Sequence, residues 1–133
     1  MNRPELMEKE RKYQRMPAKF NVGVCLYDQK TEKKLTREVS CQLSDISSQG
    51  AGLKIPQILI DGKHLCYAAL DSDTISLTLV FHDITNESAS TVILARPIWF
   101  DRDMDDAVLP FKIGVEFLVQ ASKELLKNIS NQR

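Results

Sequence analysis

The strongest constraint on this chain is a period-two pattern of apolar residues that returns six times. From Phe20, the residues Phe20, Val22, Val24 and Leu26 alternate with Asn21, Gly23, Cys25 and Tyr27, the signature of a strand with one face buried. The charged, aperiodic stretch 28–34 reads as a turn that returns the chain to Val39, Cys41 and Leu43. These alternate with Ser40, Gln42 and Ser44, so the first two strands are expected to pair as a hairpin. After a break at 47–50, Ala51, Leu53 and Ile55 alternate until Pro56 removes an amide donor and stops the ladder. Further strands are expected over 75–81, 91–100 and 111–117, the last placing Phe111, Ile113, Val115 and Phe117 on one face.

The period then changes. Ala121, Leu125, Leu126 and Ile129 fall at helical spacing while Lys123, Glu124 and Lys127 take the opposite side, which predicts one amphipathic helix over about 119–130. Six short, mostly hairpin-connected strands and one helix predict a mainly β protein: a six-stranded antiparallel β-barrel that leaves no open edge, with the C-terminal helix covering an apolar opening. Residues 17–133 are expected to form that single domain. Residues 1–16 are too polar for the barrel and read as a flexible basic arm, ending where Pro17 biases Met16 away from helical geometry. The stretch 56–73 is long for a barrel connection. Its Ile58, Leu59, Ile60, Leu65, Tyr67 and Leu70 must form irregular strand or pack on the barrel side.

Composition narrows the function classes. With 133 residues, 43% hydrophobic and 27% charged, the chain fits one ordinary soluble domain. No apolar run approaches the roughly 20 residues that cross a bilayer, and the first ten residues mix charges throughout, so membrane insertion and secretion are not expected. Cys25, Cys41 and Cys66 are odd in number, with no CxxC pair or adjacent histidine, which argues against disulfides and zinc and fits inert thiols in the reducing cytoplasm. His64 and His82 lack metal-ligand spacing and read as structural or surface residues. Asp101, Asp103 and Asp105 open like a calcium loop, but Asp106 stands where its glycine belongs and Lys112 where its glutamate belongs. Gly50 and Gly52 lack the third glycine of a dinucleotide fingerprint, and no Walker lysine or nucleophile elbow is present. No enzymatic activity, cofactor or metal is therefore expected. A net charge of zero and 7% aromatics likewise speak against nucleic acid as a partner.

The zero net charge is unevenly spread. Residues 1–37 carry ten basic against five acidic side chains, a net of +5, whereas residues 61–106 carry nine acidic against three basic, a net of −6. This asymmetry permits an anionic ligand near the beginning of the chain.

Two short motifs carry the functional signal. The first is Arg11-Lys12-Tyr13-Gln14-Arg15, with two arginines four apart on the basic arm. The second is Asp45-Ile46-Ser47-Ser48-Gln49-Gly50, at the turn that ends the second strand. Taken in this order, and followed by six strands, a Gly-x-Glu-Phe strand at Gly114 to Phe117 and a closing helix, they resemble the PilZ family of bacterial cyclic di-GMP receptors. Its signature is RxxxR followed by D/NxSxxG. The resemblance runs over nearly the whole chain from Glu10 and implies a split-barrel type of fold.

The resemblance also implies a site and a role. An arginine presents a planar, always charged fork that binds phosphate or the guanine O6/N7 edge bidentately and stacks on a base. Arg11 and Arg15 would grip phosphate and guanine, Asp45 would accept from a guanine edge, and Ser47 would add a hydrogen bond. Gly50 would permit a positive φ in a tight turn and the close approach of ligand or arm. Trp99, ending the fifth strand, reads as core or rim packing, although in some relatives an aromatic near this place lies beside the ligand. Glu10 stands where many relatives carry arginine or an apolar residue, which leaves one bound ligand or a stacked pair open. The implied function is that of a cytoplasmic receptor, monomer or weak dimer, that orders its arm on cyclic di-GMP and signals to an unidentified protein partner governing motility, biofilm or an envelope output. The alternative is a PilZ-fold protein-interaction adaptor that does not bind nucleotide.

Overall fold

A computed structural model describes residues 16–70, 72–82 and 90–131 of the chain. The expected N-terminal arm, apart from Met16, lies outside the described residues. The elements are β1 (Met16–Asp28), β2 (Lys33–Lys34), β3 (Val39–Ile46), β4 (Gly50–Ile55), β5 (Leu59–Ile60), β6 (Lys63–His64), α1 (Tyr67–Leu70), β7 (Ile75–His82), β8 (Ser90–Arg102), β9 (Phe111–Phe117) and α2 (Lys123–Asn131).

The main sheet runs β2-β1-β3-β4-β9-β8-β7, and β7 pairs back onto β1. Every pairing is antiparallel, so β1, β3, β4, β9, β8 and β7 close a six-stranded barrel, while β2 only extends the first hairpin through Tyr27↔Lys34 and Asp28↔Lys33. The period-two residues face inward. Val22, Val24 and Leu26 of β1, Cys41 and Leu43 of β3, Leu53 and Ile55 of β4, Leu77, Leu79 and Phe81 of β7, and Ile113 and Val115 of β9 form one buried cluster. Each such side chain contributes roughly 1.5–3 kcal/mol by leaving water, and a slip of one residue in any strand would turn that set outward.

Three boundaries differ from the sequence expectation. Strand β1 begins at Met16, four residues before Phe20, with Met16 opposite Ile46 and Pro17 opposite Asp45. The register shifts between Pro17 and Phe20, so an irregularity accommodates a proline that cannot donate to the ladder. Strand β8 runs on to Arg102. Helix α2 starts at Lys123 instead of near 119, because the Ser122 hydroxyl accepts the Leu125 N–H at 3.0 Å and caps its N-terminus. Ala121, Leu125 and Ile129 of this C-terminal segment join the barrel cluster, as the helical periodicity predicts.

The stretch 56–73 resolves into a two-stranded hairpin and a single helical turn. Asp61 and Gly62, both at positive φ, turn β5 into β6, and Ile60, Leu65, Cys66 and Ala69 are buried against the barrel. His64 Nδ1 accepts the N–H groups of Cys66 (3.2 Å) and Tyr67 (3.0 Å), capping α1, and its ring stacks on Tyr67 at 4.0 Å. Burial lowers the pKa of this imidazole, which favours the neutral form the cap requires. Among the described residues no helix is long and apolar enough to cross a membrane.

Candidate functional site

The second motif sits where β3 turns into β4. Asp45 and Ile46 still belong to β3, residues 47–49 form the turn, and Gly50 opens β4. Ser47 is only 3% exposed, and its polar atoms hold the turn. Its N–H donates to the Gly50 carbonyl at 2.9 Å, and its hydroxyl accepts the Gln49 N–H at 3.2 Å and donates to the Gly50 carbonyl at 3.4 Å. This is the local competition by which serine favours turns over extended ladder. The outward carbonyls of the turn are tied to the approach to α2. Phe117 N–H donates to Gln49 O and Ala121 N–H to Ser48 O, each at 2.8 Å.

Gly50 is glycine for a reason the motif does not display. Its φ is not positive; instead the Val115 carbonyl of β9 occupies the space that a Cβ would need. Close approach of two backbones, more than turn geometry, excludes a side chain here.

Asp45 is half-buried on the outer face of β3, next to a register shift between Leu43 and Asp45. Its carboxylate lies over Gly52 and accepts that residue's N–H at 3.1 Å. Continuing outward from Asp45, the ladder runs Asp45↔Gly52, Gly52↔Gly114 and Gly114↔Trp99, across β3, β4, β9 and β8. A second register shift lies between Pro97 and Trp99. Irregularities of this kind re-aim side chains, and here they flank a pair of glycines on adjacent strands. The Trp99 indole lies against Gly114, where even a methyl group would collide with it, yet the side chain remains 44% exposed.

The result is a row in which the Asp45 carboxylate covers Gly52 on β4 and the Trp99 indole covers Gly114 on the neighbouring β9. Such a surface offers a flat π-face for stacking beside an acceptor for base N–H groups. The motif spacing marks Asp45, Ser47 and Gly50. It does not mark Gly52, Gly114 or Trp99 as partners in one surface; the signal available was glycine at outward strand positions for the first two and, for Trp99, the aromatic that some relatives carry near this place. Arg11 and Arg15, expected to complete the site, lie outside the described residues.

Other candidate chemistry is accounted for structurally. Burial pushes the Cys41 thiol up to about 12 and raises those of Cys25 and Cys66, so none is a ready nucleophile. In the loop between β8 and β9, Asp103 accepts the Asp105 N–H at 3.0 Å and pairs with Lys112 at 3.6 Å. Asp106 accepts from Leu109 (2.8 Å) and Val108 (3.1 Å), and those N–H groups, Leu109 foremost, hold its carboxyl below the usual range. These acids shape a loop. Among the described residues no group of three histidines, cysteines or carboxylates could hold a metal ion.

No curated protein and no solved structure matches the chain. The family model of the PilZ domain matches residues 9–132, a span that takes in both motifs, all six barrel strands and α2. The chain therefore belongs to the PilZ domain family, a family of cyclic di-GMP receptors.

Proposed function

We propose that this protein is a cyclic di-GMP receptor without catalytic activity, in which residues 1–15 close over the ligand and the altered surface is read by a protein partner. The observation that carries this reading is the Asp45–Gly52–Gly114–Trp99 row, an acceptor and an aromatic ring each laid over a glycine on adjacent strands. Arg15 is bonded to Met16, whose ladder partner Ile46 adjoins Asp45. Arg11 is four residues further, within about 14 Å of reach for an extended chain. A guanine stacked on Trp99 with its edge toward Asp45 then leaves the phosphates for the two guanidinium forks. Ser47 contributes by holding the turn and through the acceptor capacity its hydroxyl retains.

The energetics are adequate. A hydrogen bond to a charged group contributes roughly 1.5–3 kcal/mol net, and ordering the arm opposes it by about 1–2 kcal/mol per residue fixed. Two arginines, an aspartate and one stacked base reach micromolar affinity, about 8 kcal/mol, when few arm residues are immobilised. The coupling runs through the turn: a ligand that pulls on residues 45–50 pulls on the Gln49 and Ser48 carbonyls and thereby on the start of α2. A location in the cytoplasm, and motility or biofilm as output, follow from the same reading.

Isothermal titration with cyclic di-GMP, against GMP and cyclic AMP as controls, tests the proposal. Saturable heat for cyclic di-GMP alone is expected, with the stoichiometry separating one ligand from a stacked pair. Absence of binding by folded protein, or full affinity in Arg11→Ala and Arg15→Ala, overturns the receptor reading and favours the nucleotide-independent adaptor.

A further inference from the structure

The barrel is closed, yet its strands differ in length, and β8 is left with a stretch of free edge. On one side β7 pairs with it from His82↔Ser90 to Leu77↔Ala95, whereas on the other β9 pairs only from Ala95↔Phe117 to Arg102↔Phe111. Leu118 makes one more bond, its N–H donating to the Leu94 carbonyl at 2.9 Å, and the chain then leaves β8 so that the Ala121 N–H donates to Ser48 O. Within an antiparallel ladder the N–H and C=O of one residue point to the same side, and successive residues alternate. Since the Leu94 carbonyl faces away from β7, the N–H of Leu94 and both backbone groups of Val92 face away from it too. Among the described residues nothing pairs with these three groups.

A free edge is a template for another strand, and proteins usually blunt it with lysine, proline or brevity. The free edge of β2 follows that rule: it has two residues, and both are lysine. Residues 90–94, Ser-Thr-Val-Ile-Leu, contain no charge, no proline and no glycine, and three of the five are β-branched. Beside this edge runs a cleft of about 410 Å³, with Val92, Ile93 and Leu94 on one wall and Val119, Ala121 and Leu125 on the other. Its described lining carries no charged side chain, and Val92 and Val119, 56% and 75% exposed, offer it apolar surface.

We propose that the 90–94 edge of β8 is a strand-addition site: an extended segment of a partner protein lies in the cleft, pairs with the backbone of Val92 and Leu94, and sets uncharged side chains against Val92 and Val119. The open N–H and C=O groups call for an extended backbone, which a helix, its own groups already bonded, does not supply. A second copy of this chain does not fit, because its β8 brings β7 with it to the side where residues 119–125 wall the cleft. Residues 1–15 of the same chain do not match an uncharged cleft, since eight of the fifteen are charged. The far wall is bonded to the motif turn through Ala121 and Ser48, but the site itself is made of strand edge and needs no nucleotide.

Amide hydrogen exchange, followed by NMR on the full-length chain without nucleotide, reads the edge directly. In the free protein the Val92 and Leu94 amides should exchange at least about 100-fold faster than that of Ile93, which points to β7. Short linear peptides selected on the same chain from a phage-displayed random library should carry uncharged β-branched or aromatic residues at alternate positions. A selected peptide, made synthetically, should slow exchange at Val92 and Leu94 at least about tenfold and bind Val92→Lys at least about tenfold more weakly. N-methylation of the peptide amides that face the edge should abolish binding, a loss that no misfolding of a variant can mimic. The proposal is overturned by a protected Val92 amide in the free chain, by absence of enrichment, by peptides that leave the two amides exchanging freely or bind Val92→Lys unchanged, or by sedimentation showing a dimer that Val92→Lys dissolves.

Discussion

The two outer halves of the barrel are built from the same alternation and read oppositely. On β3, β4 and β9 the outward positions are Ser40, Gln42, Gly50, Gly52, Lys54, Lys112, Gly114 and Glu116: small, polar or charged. On β1, β7 and β8 they include Asn21, Gly23, Ser76, His82 and Arg96 but also Cys25, Tyr27, Thr78, Val80, Val92 and Leu94, and several are as buried as the core. In the first half, glycines let the Asp45 carboxylate and the Trp99 indole lie close against the sheet, where the proposed function seats the nucleotide. The second supplies apolar surface in excess of what the barrel can use. The 47–50 turn and the approach to α2 join the two halves.

That division can be broken experimentally, and the largest effect falls on the scaffold between the halves. Gly50→Val forces a branched side chain into the Val115 carbonyl and should cost about 3 kcal/mol or more, read as a lower urea midpoint. Next, Arg11→Ala or Arg15→Ala should weaken cyclic di-GMP binding about 30- to 100-fold, roughly 2–3 kcal/mol, without moving the melting temperature of free protein. Equal losses in Val92→Glu would erase the distinction between the halves. Gly114→Ala displaces the indole from its bed and should reduce affinity about tenfold while shifting the emission of Trp99, the single tryptophan of the chain.

The smallest effect is a control in the hairpin and helical turn that pack on the barrel side. His64 caps α1 through a lone pair on Nδ1, and a protonated ring has none to offer. Its folded pKa is lowered by burial below the ordinary 6.5. The unfolded chain therefore binds the proton first, and the cap's contribution, present above 6.5, is lost as pH falls from there through the folded value. The urea midpoint should decline in wild type as pH falls below 6.5. In His64→Asn, whose carbonyl accepts the same N–H groups without titrating, that part of the decline should disappear.

Much of this was readable in the residues. The alternations through Phe20–Leu26, Val39–Leu43, Ala51–Ile55 and Phe111–Phe117 name their strands because a half-buried ladder tolerates no other spacing, and Asp45, Ser47 and Gly50 announce a turn by their chemistry. Tertiary packing decided the rest. The role of Gly50 depends on the β9 backbone, and the placing of Asp45 and Trp99 on one row of the sheet depends on two register shifts. The two-sided burial of β7 depends on which strands close the barrel, and the placement of 56–73 depends on a histidine cap. Local periodicity records which face of a strand leaves water, whereas contacts across neighbouring strands depend on register and closure, which only the assembled barrel sets.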